Sequence, residues 1–325
     1  MPNKYPKKKG WNVPKQKYKL SNWSDYNVAL RSRGDITVWL SEAAIAQWYA
    51  EERVYDGTGT PLLYTDFAIM ICHEIRLVYR LPLRQTQGFI DSLFRLLDVP
   101  LFCPDYTVLS KRLRALKIKV PRYRKTDKPV DGVHAVAIDS TGLKRFGRGE
   151  WHNEKYQLSN KASWRKFHTA VNQNHYFEAC TLTDRFAHDD TQVEPLLAQI
   201  DNPIDHFTGD GAYDETPVYD AITAHSPNAD VVIPPRRNGA EKDNAAPLRN
   251  RNIREIEEHG RMQWQRSRQY GRRNFGELGF YRYQKILGGS LHARELARQE
   301  QEVKIGCGVL NKMTSLGMPE SYRTA

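Results

Sequence analysis

The first regular pattern of apolar and polar positions is helical and covers residues 62–119. Apolar side chains recur three or four positions apart over 65–79, which predicts an amphipathic helix. A second amphipathic run follows at 84–97. After a proline-containing turn, Asp105 stands where it can cap a third helix over 106–116.

The last two of these helices suggest a mode of DNA binding. Two helices joined by a turn, the second of them basic, match the helix-turn-helix arrangement, in which the later helix lies in the major groove. The side chains expected to contact DNA are Tyr106, Ser110, Lys111, Arg112, Arg114 and Lys117. The pattern fits equally well an ordinary helical bundle with a solvated basic face, so both interpretations stay open.

From about residue 130 the pattern changes to that of β-strands. The predicted strands are 133–139, 167–171, 176–182, 206–210 and 229–234, with helices at 191–200 and 217–224 between the later ones. This succession predicts an α/β fold with a mixed sheet flanked by helices. It is the order of ribonuclease-H-like nucleases, in which the first and fourth strands are neighbours.

Three carboxylates follow from this arrangement as candidate ligands. The first and fourth predicted strands end on Asp139 and Asp210, which neighbouring strands would bring together. Glu277 lies on a later helix. Carboxylates delivered by separate elements are what a site needs to hold hard divalent cations against a phosphodiester.

Two further side chains accompany the glutamate. Tyr270, Arg273 and Glu277 stand at i, i+3 and i+7, which is one face of a predicted helix. Arg273 can neutralise and orient Glu277 there, while Tyr270 supplies a hydroxyl for a phosphate. Taken alone, the same spacing also fits a structural salt bridge beside a packed tyrosine.

The positive charge of the chain is concentrated in front of the strands. The formal net charge is +11 over 325 residues; residues 1–20 contain seven lysines and no acid, and residues 111–128 contain nine basic side chains and one aspartate. Contacts from Lys and Arg release counterions from the phosphate backbone, so double-stranded DNA is the expected partner. We therefore divide the chain into a basic N-terminal arm (1–60), a helical DNA-binding region (61–129) and a catalytic domain (130–325).

Other features of the sequence exclude several classes of protein. The four cysteines are too far apart for a zinc or redox motif, which fits a reduced cytoplasm. No apolar stretch approaches the roughly 20 residues that cross a bilayer. We expect a cytoplasmic, nucleoid-associated protein with no membrane partner. Residues 235–252 lack periodicity and are interpreted as a loop, whose Arg249, Arg251 and Arg254 either grip DNA or are solvated.

The motifs resemble those of a known family. Asp139 in Ala-Ile-Asp-Ser-Thr-Gly, Asp210 in Asp-Gly-Ala-Tyr-Asp, and Tyr-x-x-Arg-x-x-x-Glu ending at Glu277 are similar to the DDE transposases of bacterial insertion sequences, in the subgroup marked by a Tyr-Arg-Glu-Lys signature. The resemblance extends over nearly the whole chain, through the stretches 11–15, 81–88 and 290–295.

The resemblance implies a ribonuclease-H-like catalytic core, Mg²⁺ as cofactor with Mn²⁺ as a substitute, and binding of terminal inverted repeats by the N-terminal region. Asp139, Asp210 and Glu277 would be the metal ligands, and Tyr270 and Arg273 would support them. The chain departs from the signature at its last position.

The signature places a lysine seven residues after the glutamate, where this chain has Gln284 followed by Lys285. We expect Lys285 to reach a terminal phosphate from the next helical position.

The reaction implied by the resemblance is two-metal phosphoryl transfer. A water cuts at the element end, and the freed 3′-hydroxyl then attacks target DNA in the same site. Because two element ends must be paired, we expect a homo-oligomer, at least a dimer. Two alternatives remain, a metal-dependent nuclease that cuts without joining and a non-catalytic DNA-binding regulator; the presence of all three carboxylates argues against the regulator.

Overall fold

The computed structural model describes residues 17–51, 62–119, 132–145, 164–236, 239–241, 243 and 245–324. Residues 1–16 of the predicted arm and residues 120–128 of the second basic run lie outside these ranges. The described residues form a helical layer, a mixed β-sheet, and helices that cover both faces of the sheet.

The segment predicted to be an arm is folded onto the rest of the protein. It contains three short helices, α1 (Trp23–Ser32), α2 (Ile36–Trp39) and α3 (Glu42–Ala46). Trp39 and Trp48 are fully buried in a core cluster that also contains the later helices. The prediction of an arm is therefore wrong for residues 17–51, because burial of two indoles anchors this segment.

The three helices predicted next are confirmed to within one residue at each end. They are α4 (Asp66–Val78), α5 (Leu83–Leu96) and α6 (Tyr106–Ala115). The Thr65 hydroxyl accepts a hydrogen bond from the Ala68 amide, and the Asp105 carboxylate accepts one from the Thr107 amide. These side-chain caps explain where α4 and α6 begin.

The connection between α5 and α6 is one residue longer than the one that the predicted helices left between them. It spans nine residues, 97–105, whereas a helix-turn-helix motif uses about three or four. The loop is held by the Trp48 indole, which donates to the Phe102 carbonyl at 2.8 Å, and by the Cys103 amide, which donates to Asp91 at 2.9 Å. The connection is therefore longer than that of a typical helix-turn-helix motif.

The five strands that follow form one sheet. They are β2 (Ala135–Lys144), β3 (Trp164–Asn172), β4 (Phe177–Thr183), β5 (His206–Thr208) and β6 (Asp230–Val232), in the order β4-β3-β2-β5-β6. β2 is antiparallel to β3 and parallel to β5. The first and fourth strands of the sheet are therefore neighbours, and the predicted ribonuclease-H-like α/β fold is confirmed.

β2 is longer than the apolar run that predicted it. It continues past Asp139 to Lys144, because residues 140–144 pair with β3 as far as Trp164. Asp139 therefore lies in the middle of a strand, opposite Thr169, and not at a strand end. Pairing with a partner strand extends β2 where its own apolar pattern has stopped.

Helices pack on both faces of the sheet. They are α7 (Val193–Leu197), α8 (Thr216–His225), α9 (Pro247–His259), α10 (Arg261–Ser267), α11 (Asn274–Ile286) and α12 (Leu296–Ser315). α7 and α8 bury their apolar side chains on one face, and α11 and α12 bury theirs on the other.

Part of the predicted loop 235–252 is helical. α9 begins at Pro247, a first-turn position where the missing amide hydrogen costs nothing. The arginines assigned to this loop form internal ion pairs, Arg249 with Asp214 at 3.0 Å, Arg251 with Asp230 at 2.7 Å and Arg254 with Glu241 at 3.5 Å. Arg249 is therefore buried in its ion pair, whereas the Arg254 side chain is 64% exposed and solvated.

The helical layer and the sheet share one core. α12 contacts β4 as well as α4 and α6, and the same hydrophobic cluster contains residues from Trp39 to Met313. The boundary predicted at residue 129 thus divides the sequence without dividing the core. At the two ends of the described chain, β1 (Lys17–Leu20) pairs antiparallel with β7 (Ser321–Thr324). None of the helices in the described ranges combines the length and the apolarity needed to cross a membrane.

Candidate active site

Asp139 is carried by the central strand of the sheet. Alternation along β2 places Val136 and Ile138 in the cluster beneath α7 and α8 and turns Asp139 toward the opposite face. The Asp139 side chain is 14% exposed. Its Oδ1 accepts a hydrogen bond from the Ser140 amide at 2.9 Å, so Oδ2 is the oxygen that remains for other partners.

Asp210 follows the neighbouring parallel strand. The register places Ala137 opposite Thr208, two residues before each aspartate. Asp210 Oδ1 accepts from the Ala212 amide at 2.8 Å and caps the short 3₁₀ turn Gly211–Tyr213. Because its side chain is 39% exposed, the site opens to solvent on this side.

Tyr270, Arg273 and Glu277 come from two consecutive elements. Tyr270–Arg273 forms a 3₁₀ turn after Gln269, whose left-handed φ of 51° redirects the chain. α11 begins at Asn274, and Glu277 lies in its first turn. The prediction of one continuous α-helical face is wrong for Tyr270, since a 3₁₀ turn rotates side chains differently from an α-helix.

The guanidinium of Arg273 is the point at which the three carboxylates meet. Its Nη1 lies 2.5 Å from Glu277 Oε1, and its Nη2 lies 3.4 Å from Asp139 Oδ2 and 4.0 Å from Asp210 Oδ2. The Arg273 side chain is only 9% exposed. The sequence pattern paired Arg273 with Glu277 alone; the structure puts it among all three acids.

Gly276 permits the close approach that brings α11 to the strand. A Cβ added at Gly276 would lie 3.1 Å from the Cβ of Asp139. Gly279, one turn later, faces Val171 and Phe177 at 3.0 and 3.3 Å in the same way. Sequence reasoning missed Gly276 as a site residue, although a glycine inside a helical run next to Glu277 is a signal of close backbone approach.

Burial and the Arg273 guanidinium determine the electrostatics of the site. Burial raises the pKa of Asp139 to about 6, although Arg273 opposes the shift. Burial disfavours the charge on Arg273, but nearby Asp139, Tyr270 and Glu277 outweigh it and raise its pKa. Burial also raises the pKa of the Tyr270 hydroxyl, which therefore stays protonated at neutral pH. Three acids face one guanidinium, so negative charge is in excess.

The donor set fits a hard divalent cation, because carboxylate oxygens are the ligands that Mg²⁺ prefers. Within the described ranges, however, no three His, Cys, Asp or Glu side chains are close enough to hold a metal ion as they stand. The positive charge between Asp139, Asp210 and Glu277 is that of Arg273. A metal ion at these carboxylates would replace guanidinium contacts that already exist.

The last position of the signature does not bring a lysine to the carboxylates. Gln284 Nε2 donates to Thr141 Oγ1 at 3.3 Å, on the strand that carries Asp139. Lys285 is exposed, and its backbone carbonyl accepts from Arg80 at 2.9 Å. No carboxylate of the described residues lies within 4.0 Å of the Lys285 ammonium. One residue corresponds to a rotation of about 100° around α11, which separates the two side chains.

The side chains in and just after α6 that we expected to contact DNA fall into two groups. Lys111, Arg114 and Lys117 are exposed. The other three are at least partly enclosed: Tyr106 accepts from Arg84 at 3.2 Å, Ser110 is half-buried, and Arg112 donates to Asp66 at 2.5 Å and to the Tyr64 carbonyl at 3.0 Å. Arg112 thus ties α6 to the start of α4.

Comparison with known proteins identifies the family of the chain. Two family models described as Transposase DDE domain match the chain, one over residues 31–148 and the other over residues 134–312. A cryo-EM structure of the piggyBac transposase synaptic complex with hairpin DNA is similar with 12% sequence identity and a TM-score of 0.38, over 89% of this chain and 75% of that chain. The second family model spans more than half of the sequence and includes Asp139, Asp210 and Glu277. The protein therefore belongs to the DDE transposase family.

Proposed function

We propose that this protein binds the terminal inverted repeats of an insertion sequence, cleaves DNA at the element ends, and joins the freed 3′-hydroxyls to target DNA. The observation that carries the proposal is the convergence of Asp139, Asp210 and Glu277 on Arg273. Members of the family use divalent metal ions, and three carboxylates from three elements are suited to hold them.

Asp139, Asp210 and Glu277 would hold Mg²⁺, for which Mn²⁺ would substitute. Such a cation activates the attacking oxygen and stabilises the leaving oxygen of a phosphodiester. The Arg273 guanidinium, with its planar array of donors, is suited to a non-bridging phosphate oxygen beside the carboxylates. The protonated Tyr270 hydroxyl is a second donor for the same phosphate.

Double-stranded DNA would also bind the exposed basic side chains in and just after α6. The exposed Lys111 and Arg114 of α6, and Lys117 just after it, are suited to phosphate contacts, which add affinity without sequence information. Recognition of the repeat itself would also use the N-terminal segment. Paired element ends require at least a dimer in the complex that cuts and joins.

A strand-transfer assay tests this function. The full-length protein is incubated with Mg²⁺, a supercoiled target plasmid and a duplex that carries the terminal repeat flanking its coding sequence, already cut to expose the 3′-hydroxyl. Joined product is the expected result. Cleavage of an uncut duplex without any joining would instead identify a nuclease, and repeat binding with neither reaction would identify a regulator.

A matched pair of variants assigns the chemistry to the site. Asp210→Asn should abolish strand cleavage and leave binding to the repeat intact. Asp220→Asn, an exposed position on α8, should cleave like the wild type. Loss of both cleavage and binding in Asp210→Asn would mean that Asp210 has a structural role.

A further inference from the structure

A cavity of about 450 Å³ opens beside the carboxylates. Gly211, which follows Asp210 in the chain, forms one wall, and Tyr270, in the same turn as Arg273, forms another. Arg236 and Arg261 line the cavity from two separate segments. Its volume lies within the range of roughly 300–1,000 Å³ that is typical of small-molecule sites.

The two arginines give this cavity a positive charge. Arg236 is paired with Glu215 at 2.7 Å, but its side chain is still 58% exposed. Arg261, the first residue of α10, donates to the Pro235 carbonyl at 2.7 Å. Among the residues that the structure describes, no carboxylate lies within 4.0 Å of the Arg261 side chain. Its charge is therefore available to an anion.

The wall that carries Arg236 is fixed by a buried carboxylate. Asp214 accepts from the Arg236 amide at 3.2 Å and from Arg249 Nε and Nη2 at 3.0 and 3.1 Å. Asp214 is 4% and Arg249 8% exposed. On the other wall the Tyr270 ring packs against Trp264, with ring centroids 5.8 Å apart. Walls that are already ordered reduce the entropy lost when a ligand binds.

We propose that this cavity, the Arg236–Arg261 pocket, binds the DNA phosphate next to the one that is cleaved. Arg236 and Arg261 would contact the phosphate oxygens, and the Gln265 amide, which also lines the pocket, would contact the adjoining sugar or base. The inference rests on the proposed function, because it assumes a DNA strand at the carboxylates.

The geometry of a DNA strand leads to this assignment. The phosphates of one DNA strand are spaced about 3.4 Å apart along the helix axis. A phosphodiester bound at Asp139 and Asp210 therefore has the next phosphate one nucleotide away. The pocket begins at the residue after Asp210. Cations held by the carboxylates would neutralise the phosphate that is cut, whereas its neighbour needs its own positive partner. Guanidinium groups match phosphate geometry with two parallel hydrogen bonds.

The test combines protein variants with single neutral linkages in the DNA. Terminal-repeat duplexes carry one methylphosphonate at a time, and cleavage rates are compared for the wild type, Arg261→Ala and Arg266→Ala. Arg266 is an exposed arginine of the same helix outside the pocket. Thermal unfolding checks that the variants are folded.

We expect neutralisation of the adjacent linkage to slow cleavage by the wild type about tenfold. This is the size of effect expected when one charge-assisted hydrogen bond is lost. Arg261→Ala should be slower than the wild type on unmodified DNA, and the modified duplex should slow it by a smaller factor than the wild type, because only the Arg236 contact is left to lose. Arg266→Ala should respond like the wild type. The assignment would be overturned if the modified linkage slowed Arg261→Ala by the same factor as the wild type. Equal cleavage rates of Arg261→Ala and Arg266→Ala would also overturn it.

A binding measurement without metal separates this inference from the proposed function. In EDTA, binding of a duplex with a single-stranded end is followed by fluorescence anisotropy at several salt concentrations. The slope of log affinity against log salt concentration should be smaller by about one for Arg261→Ala and unchanged for Arg266→Ala. An unchanged slope in Arg261→Ala would refute the pocket. If the wild type cuts no terminal duplex at all, the proposed function fails, and this binding experiment still decides whether the pocket holds a phosphate.

Discussion

Replacing Gly276 by alanine would test whether contact between α11 and β2 sets the geometry of the site. The new Cβ would lie 3.1 Å from Asp139 Cβ, 3.9 Å from the Asp139 nitrogen and 4.0 Å from the Ala137 carbonyl oxygen, whereas ordinary contacts begin at 3.4 Å. The helix must therefore move by a few tenths of an ångström. Asp139 Cβ cannot move aside readily, because it belongs to the central strand of the sheet.

The effect on stability should be small and the effect on cleavage larger. Alanine gains about 0.5–1 kcal/mol over glycine inside a helix, and overpacking costs about 1–3 kcal/mol. The free energy of unfolding should therefore fall by at most about 2.5 kcal/mol. A displacement of about 1 Å can cost a hundredfold in rate, so a smaller shift of Glu277 from Asp139 should slow strand cleavage about three- to tenfold.

The assay compares cleavage rates at saturating DNA and Mg²⁺ with urea unfolding of the same samples. Gly88→Ala is the matched control, since Gly88 lies within helix α5 and an added Cβ meets nothing within 4 Å. Its free energy of unfolding should rise because alanine favours the helix more than glycine, and it should cleave DNA at the wild-type rate. The reasoning is refuted if Gly276→Ala gains stability like the control and keeps the wild-type cleavage rate.

Three further predictions concern the charges of the protein. In metal-free buffer, the free energy of unfolding should fall by up to about 3 kcal/mol as pH rises from about 4 to about 6, because burial raises the pKa of Asp139 to about 6 in the folded state. Asp139→Asn should remove that fall in urea titrations; an unchanged pH profile would contradict the shift. Asp214→Asn should lower the free energy of unfolding by about 3–5 kcal/mol, since Arg249 would stay buried without its partner, and a loss below about 1 kcal/mol in urea titrations would argue against this. Lys111→Ala should reduce the salt slope of DNA binding by about one, whereas Arg112→Ala should lower stability through loss of its internal ion pair; anisotropy and thermal unfolding distinguish them, and the reverse pattern would exchange their roles.

The elements that sequence patterns predicted well are those whose burial is periodic and local. The helices from Asp66 to Ala115 were predicted to within one residue at each end, because each combines a 3.6-residue apolar repeat with a recognisable boundary. The strand order followed from the similarity of this succession of elements to that of ribonuclease-H-like nucleases. The extension of β2 to Lys144 could not be predicted in this way, because it arises from pairing with β3.

The N-terminal segment was misjudged because charge dominates its composition. Lysines suggested a solvated arm, yet Trp39 and Trp48 are buried among residues that come much later in the chain. Burial of two isolated aromatic side chains depends on partners that local periodicity does not contain. The same holds for Arg249, whose partner Asp214 lies 35 residues away.

The candidate site was predictable in its ligands but not in its arrangement. Topology alone placed Asp139 beside Asp210, since parallel neighbouring strands bring equivalent positions together. The position of Arg273 among three acids depends on the turn after Gln269, where a left-handed residue other than glycine gives no sequence signal. The Arg236–Arg261 pocket likewise joins segments that share no motif.

The central position of Arg273 explains how three acids can share a site in the absence of a cation. Burial raises the pKa of Asp139, and the nearby charges of Asp210 and Glu277 raise it further. A buried guanidinium that contacts all three offsets part of this repulsion, so the metal-free fold keeps its carboxylates in position. The same contacts oppose metal entry, because a cation must compete with charge already present. Under the proposed function, Arg273 would therefore transfer its hydrogen bonds to a phosphate as a cation binds, which would couple metal binding to the arrival of DNA.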